Sequence, residues 1–329
     1  MEFRILGLVE VRDEQAGRRI LPAGVKQRAL LGALVVKAGH HVSGHRLIDE
    51  LWGDHPPANA ANALQGHVAR LRRLLSGPGE QGSGPHARSP WIATTSRGYT
   101  LRLGPVETDA ARFQRLTGEA RRVLPADPGH AAELLRRALS LWRGPALEGS
   151  VLGDICAAEA AQLEEGRLTA LEMMYGACLR TGRHREITGE LVELITDHPL
   201  REKFYDLLMV AFYRCGRQAE ALGVYDRARG RLMRELGVEP GPGLRGLREA
   251  ILHHDPALAA SARPFPADLP WASPQHARTA PTTAEDAVLP LCEEIARLHR
   301  RIERLQSEHT QLLRRFDELT AGAAQRVTG

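Results

Sequence analysis

The sequence predicts a mainly α-helical chain, with an N-terminal winged helix-turn-helix, then a tetratricopeptide-like all-α domain, then a C-terminal coiled-coil helix. Three observations carry that prediction. Residues 1–104 order themselves as short alternating strands, three helical stretches and a second alternating pair around a Ser-Arg-Gly turn. Residues 107–256 are helix-patterned almost throughout, and Gly182-Arg183 recurs as Gly216-Arg217, an offset of 34 residues that matches the tetratricopeptide period. Beyond a Pro- and Ala-rich stretch, Leu291, Ile295, Leu298, Ile302, Leu305, His309, Leu312, Phe316 and Leu319 follow one another by four and three residues alternately.

The 329 residues, 43% of them hydrophobic, suffice for two ordinary cores. No apolar run is long enough to span a bilayer, and MEFRILGLVEVRDEQ lacks the basic start and apolar core of a signal peptide. A soluble, cytoplasmic protein without a membrane partner is therefore expected. Cys156, Cys178, Cys215 and Cys292 are scattered singly, with no metal-ligand spacing, and read as buried free thiols. Formal net charge is only +4, yet residues 1–104 hold fourteen Lys or Arg against eight Asp or Glu, +6, which leaves the remainder at −2. Between His55 and Val106 the only acidic residue is Glu80, while Arg70, Arg72, Arg73, Arg88, Arg97 and Arg102 all fall there. A one-signed field over one small domain attracts a polyanion. Lysine occurs only at positions 26, 37 and 203, so an arginine-rich composition weakens any single Arg as a signal.

The opening residues alternate well enough for strands near 3–12 and 18–22, with a polar turn at 13–17. VKQRALLGALVVKAG follows as a helix with Leu30, Leu31, Leu34 and Val35 on its apolar face and Gly39 as its stop. A second helix opens at Ser43, a good N-cap, buries Leu47, Ile48, Leu51 and Trp52, and ends at Gly53 and Pro56-Pro57. In the third, NAANALQGHVARLRRLLS, Leu64, Val68, Leu71 and Leu75 form one narrow stripe. Its opposite face carries Asn62, Gln65, Gly66, Ala69, Arg70 and Arg73, flanked by His67 and Arg72, and no carboxylate. Asn and Gln can pair bidentately with adenine and Arg with guanine, and small residues permit close approach, so the face suits a major groove. Taken alone it equally suits a solvated helix with a basic outer face. After a Gly/Ser/Pro loop, residues 76–90, WIATTSRGYTLRL reads as a hairpin turning at Ser96, Arg97 and Gly98. Strands, three helices and an arginine-tipped hairpin make a winged helix-turn-helix, with Arg97 reaching phosphates or the minor groove.

The stretch KQRALLGALVVKAGHHVSGHRLIDELWGDHPPANAANALQGHVARLRRLL, followed by SRGYTLRL, resembles the DNA-binding domain of the Streptomyces antibiotic regulatory protein family, whose winged helix is of the OmpR type. Lys26-Gln27-Arg28, Leu51-Trp52-Gly53, Asn62-Ala63-Leu64-Gln65, His67-Val68, Arg70-Leu71-Arg72 and Arg97-Gly98-Tyr99 carry the likeness. Gly66 departs from it where an apolar side chain is common, and Ala69 where Ser or Thr is common, which bears on the operator sequence. RGPALEG, LVELITDHPLREKF, AFYRCGRQAEAL and ELGVEPGPGLRGL resemble the family's bacterial transcriptional activator domain. The expected boundaries are 1–104 for the winged helix, 105–256 for the helical domain, 257–287 for a flexible linker and 288–320 for the coiled coil. The resemblance implies an activator that binds direct repeats in double-stranded DNA upstream of promoters and recruits RNA polymerase holoenzyme through its sigma factor. It further implies control of a secondary-metabolite cluster, with no cofactor. It adds Lys26, Arg28 and Tyr99 to Asn62, Gln65, His67, Arg70, Arg72, Arg73 and Arg97 as DNA-contact candidates.

In the tail, Ile at two a positions and Leu at every d position favour a parallel two-stranded coil and hence a homodimer. Leu291, Ile295, Leu298, Ile302, Leu305, Leu312, Phe316 and Leu319 would form its seam, broken only by His309; a single amphipathic helix folded back on its own protein is the alternative. Catalytic signals are absent or deceptive. Gly241, Gly243 and Gly246 spell GxGxxG, but no strand precedes them, so they read as a turn into a helix. There is no GxxxxGK[ST] and no HExxH, and the adjacent pairs His40-His41 and His253-His254 project in different directions. An enzyme is not expected. A helical-repeat interaction scaffold, or a repressor using the same DNA-binding domain, remains as an alternative.

Overall fold

The N-terminal alternation becomes three short strands rather than two. In the computed structural model, which describes residues 1–13, 17–76, 91–104 and 106–259, β1 (Glu2–Arg4), β2 (Glu10–Asp13) and β3 (Arg18–Ile20) form an antiparallel meander. Phe3 pairs with Val11, and Val11 with Ile20. Ile5 to Val9, expected inside one strand, leave the sheet because their backbone groups bond to the helical half. The Ile5, Leu6 and Gly7 carbonyls accept from the amides of Leu147 at 2.8 Å, Arg143 at 2.9 Å and Glu148 at 3.0 Å.

The three helices of the winged unit are α1 (Val25–Val36), α2 (Gly44–Trp52) and α3 (Ala60–Leu75). Ser43 caps α2 as its sequence suggests, its Oγ accepting from the Arg46 amide at 3.2 Å. Gly53 closes α2 at a positive φ of 54°. Ser43 also belongs to β4 (Val42–Ser43), which pairs with β6 (Gly98–Leu101), and β6 pairs in turn with β5 (Ile92–Thr95). Gly98, expected in the turn, is instead the first residue of β6. A Cβ there would run into the Val42 carbonyl and the His41 ring, so only glycine lets the hairpin close on β4.

The helical half comprises α4 (Asp109–Val123), α5 (Pro128–Leu139), α6 (Asp154–Arg180), α7 (Thr188–Asp197), α8 (Glu202–Arg214), α9 (Gln218–Glu235), α10 (Pro242–Leu252) and the turn α11 (Pro256–Ala259). Thr108 and Asp127 cap α4 and α5 through their side chains. The repeated Gly-Arg pair marks a repeated turn. Gly182 and Gly216 both have φ of 76°, and the amides of Arg183 and Arg217 donate to the carbonyls of Cys178 and Phe212, each at 2.9 Å. Each arginine then grips the glutamate three residues on, Glu186 or Glu220. Of the GxGxxG glycines only Gly241 precedes α10, as its N-cap, while Gly243 and Gly246 lie within the helix, which starts at Pro242.

Phe3, Leu34, Leu51 and Leu71 of the winged unit belong to the same buried cluster as Leu135, Cys156, Phe204 and Val224 of the helical half. The described residues, 1–259 apart from the gaps given above, accordingly form one compact unit. Cys156 and Cys178 are buried and Cys215 is half-buried, all as free thiols. The first residues of the expected linker lie in α11, where the Leu258 carbonyl accepts from Arg214 Nε at 2.9 Å. The remainder of that linker, the coiled-coil segment 288–320 and Cys292 lie outside the described residues.

Candidate nucleic-acid interface

α3 divides into two faces as its periodicity requires. Leu64, Val68, Leu71 and Leu75 are each 3% exposed or less and fix the helix to the core. Asn62, Gln65, Gly66, Ala69, Arg70 and Arg73 are exposed on the other side. Among the described residues Asn62, Gln65, Arg70 and Arg73 have no hydrogen-bond or ion-pair partner, so their donors and acceptors are open to a ligand. No acidic side chain occurs anywhere in α3.

The hairpin beside it is held by backbone and leaves its tip open. The Arg97 carbonyl accepts from the Gly44 amide at 2.9 Å, and Thr95 Oγ1 lies 2.9 Å from His41 Nδ1. The Arg97 side chain is exposed and, among the described residues, unpartnered. A free guanidinium on a rigid tip can meet a phosphate without ordering the loop first.

Lys26 and His67 meet around Trp52. The Lys26 ammonium sits 4.7 Å from the centroid of the Trp52 ring, a cation–π distance, and the His67 ring lies 6.0 Å from the same ring on its other helix. Burial, with Arg70 and Lys26 adding repulsion, pushes the His67 imidazole below its ordinary value. Among the described residues the buried His67 Nδ1 has no partner.

Three residues expected at the DNA have other work. Arg72 turns inward: its Nε and Nη2 donate to the Ile92 carbonyl at 3.2 and 3.0 Å, and Nη2 donates to Thr94 Oγ1 at 2.6 Å. It is a strut between α3 and the hairpin. Tyr99 is 9% exposed and packs in the core beside Arg72, its phenol pushed up by burial. Arg28 donates from Nε to the Gly149 carbonyl at 2.5 Å and from Nη1 to the Pro22 carbonyl at 3.0 Å, which ties α1 to the helical half.

The sequence reading missed the seam between the two halves. Asp109, at the start of α4, accepts from the amides of Ile5 at 2.8 Å and Leu6 at 3.0 Å and from Arg143 Nη2 at 3.0 Å. Arg143 also reaches Glu10 at 2.8 Å. Glu50 crosses in the opposite direction, from α2 to the first turn of α6. The sequence carries no clear signal of it, since on a helical wheel Glu50 falls outside the Leu47, Ile48, Leu51 and Trp52 face and reads as a solvated carboxylate. Among the described residues no helix is long and apolar enough to cross a membrane.

Comparison with known proteins agrees with this geometry. The model of the transcriptional regulatory protein C-terminal family matches residues 18–99, and that of the bacterial transcriptional activator domain matches residues 108–252. The transcriptional regulator RedD of Streptomyces coelicolor is 43% identical over 258 residues, 78% of this chain and 72% of that protein. The regulatory protein DnrI of Streptomyces peucetius is 36% identical over 81% of this chain and 97% of its own length. The regulatory protein AfsR of Streptomyces coelicolor is 42% identical, but the chain spans only 25% of it. A solved structure of Mycobacterium tuberculosis EmbR in complex with a low-affinity phosphopeptide superposes with a TM-score of 0.69 at 31% identity, covering 78% of this chain and 68% of that one.

Proposed function

This chain belongs to the Streptomyces antibiotic regulatory protein family of transcriptional regulators, and from that premise we propose that it is a sequence-specific DNA-binding activator. The observation that carries the reading is the outer face of α3, exposed, unpartnered and without a carboxylate. Asn62, Gln65, Arg70 and Arg73 read base edges in the major groove, while Arg97 anchors the wing on the backbone and Lys26 and His67 flank it. Neutralising phosphates with Lys26, Arg97 and the free guanidiniums of α3 releases counterions, so binding weakens steeply with salt.

The sites are direct repeats upstream of a promoter. The helical half holds neighbouring protomers or meets the sigma factor of RNA polymerase, and the target is a secondary-metabolite cluster. The heptad from Leu291 to Leu319 makes the protein a dimer. It works in the cytoplasm and as a regulator rather than a catalyst.

Footprinting on DNA from the gene's own neighbourhood, followed by transcription with purified polymerase holoenzyme, tests this function. Protection of short repeats and an increase in transcript are expected. Nonspecific, competitor-sensitive binding would reduce the protein to an interaction scaffold, and a fall in transcript would make it a repressor.

A further inference from the structure

α6 begins behind Gly153, which has no side chain to cap it. An N-cap side chain ordinarily satisfies the amides of the second or third helical residue, here Ile155 and Cys156. Both donate instead to one carboxylate from the other half of the molecule. The Ile155 amide donates to Glu50 Oε2 at 2.7 Å and the Cys156 amide to Oε1 at 3.1 Å. Glu50 is 2% exposed, and among the described residues no cation pairs with it. The positive end of the α6 dipole stands where a cation would.

The fit leaves little room. A Cβ on Gly153 would stand 2.6 Å from the Glu50 Cα and carbonyl oxygen, and one on Gly32 would stand 2.8 Å from Leu147 Cδ2. Cys156 Sγ lies 3.8 Å from the Ala29 carbonyl of α1. The first turn of α6 is therefore wedged in the corner between α1 and α2. α2 in turn packs against the reading helix, and Leu47, Leu51, Leu64 and Val68 all belong to the same buried cluster.

We propose that Glu50 is a positioning residue for DNA reading: by capping α6 it locks α2, and with it α3, to the helical half. This rests on the DNA-reading function given above. α2 cannot tilt away from α6 without stripping a buried carboxylate of both donors, which is costly because neither side then has a partner. DNA that holds α3 in one orientation suppresses opening of the cap. By linkage, an intact cap favours the orientation that DNA binds.

Amide hydrogen exchange on the full chain, wild type and E50Q, tests this with and without a DNA fragment enriched from a random pool by the wild-type protein. Glu50→Gln keeps the shape but turns an NH2 group toward one of the two amides. Without DNA, exchange at Ile155 and Cys156 should rise about tenfold in E50Q, the change a lost N-cap produces. DNA should slow exchange at these two amides in the wild type and not in E50Q, although neither amide faces DNA. A cap that is merely structural would show the first effect without the second. Wild-type exchange indifferent to bound DNA, which is measurable even if E50Q does not fold, overturns the proposal, as does equal DNA-free exchange in the two proteins. If the wild type enriches no sequence, DNA reading itself fails and the coupling falls with it.

Discussion

Arg72 and Arg73 are neighbours in the chain with opposite assignments, and substituting each by alanine separates them. Arg72→Ala removes the donors that satisfy the Ile92 carbonyl at 3.2 and 3.0 Å and the exposed Thr94 hydroxyl at 2.6 Å. The Thr94 hydroxyl can bond water instead, so only the Ile92 bonds are counted; Ile92 is 1% exposed. Losing a hydrogen bond from a charged donor to such a group costs about 1.5–3 kcal/mol. In a unit of this size that lowers the melting temperature by roughly 3–12 °C. Arg73→Ala removes an exposed, unpartnered side chain and should change stability by no more than about 0.5 kcal/mol. Its specific DNA affinity should fall at least about tenfold, within the roughly 1–3 kcal/mol of a base-edge contact. Calorimetry of the two variants, with mobility-shift titrations on the enriched fragment, gives both quantities. An unchanged melting temperature for Arg72→Ala would refute the strut, and unchanged affinity for Arg73→Ala would refute the base contact.

Three further outcomes are expected. Gly66 and Gly118 both lie inside helices, exposed and with open space where a Cβ would go, so alanine at either should stabilise the fold by about 0.5–1 kcal/mol in thermal melts. Only Gly66→Ala should weaken specific DNA binding, and equal effects of the two variants on affinity would remove Gly66 from the interface. Burial pushes the Asp206 carboxyl up to about 6, against the pull of Lys203, and among the described residues its Oδ1 has no partner. The folded state thus holds that proton more tightly than the unfolded chain, and the contribution of Asp206 to stability declines as pH rises from the ordinary carboxylate range through that value. Asp206→Asn should therefore stabilise by about 1–3 kcal/mol near about pH 7.5 and by little near about pH 4; a pH-independent difference in urea melts would contradict this. Deleting residues 288–329 should lower the assembly state, and sedimentation showing the same species with and without them would count against the coiled coil.

Much of the fold was legible because periodicity and punctuation are local. The α3 stripe, the Ser43 cap and the twin glycine turns at Gly182 and Gly216 are each decided within a few residues of chain. Ile5 to Val9 were misassigned because alternation is the same for a strand and for an extended segment whose backbone bonds elsewhere, here to Arg143, Leu147 and Glu148 more than a hundred residues away. The candidate site divides in the same manner. Exposure of Asn62, Gln65, Arg70 and Arg73 follows from the helical wheel alone. The inward turn of Arg72 depends on a carbonyl twenty residues downstream in the hairpin, and that of Arg28 on Gly149. Arginine composition identifies charge but not which charge has a partner.

The acidic residues of the winged unit explain how a chain of net charge +4 can hold a strongly basic face. Glu10, 3% exposed, is enclosed by Arg4, Arg19 and Arg143, and Glu50, 2% exposed, is taken up by the end of α6. Glu2 is bound to Arg4. Glu2, Glu10 and Glu50 are thereby taken up by Arg4, Arg19, Arg143 and the α6 amides rather than by Arg70, Arg73 or Arg97, while Asp49 pairs with His45 on α2. Charges that are buried and paired at a seam project little field to a surface beyond it, whereas unpaired guanidiniums on an exposed helix project all of theirs. The reading face keeps a single sign because α3 itself carries no carboxylate, and the seam keeps Glu10 and Glu50 buried away from it. Substituting Glu10 or Glu50 should disturb stability at the seam while barely altering the salt dependence of DNA binding, which is set by the free cations on α3 and the wing.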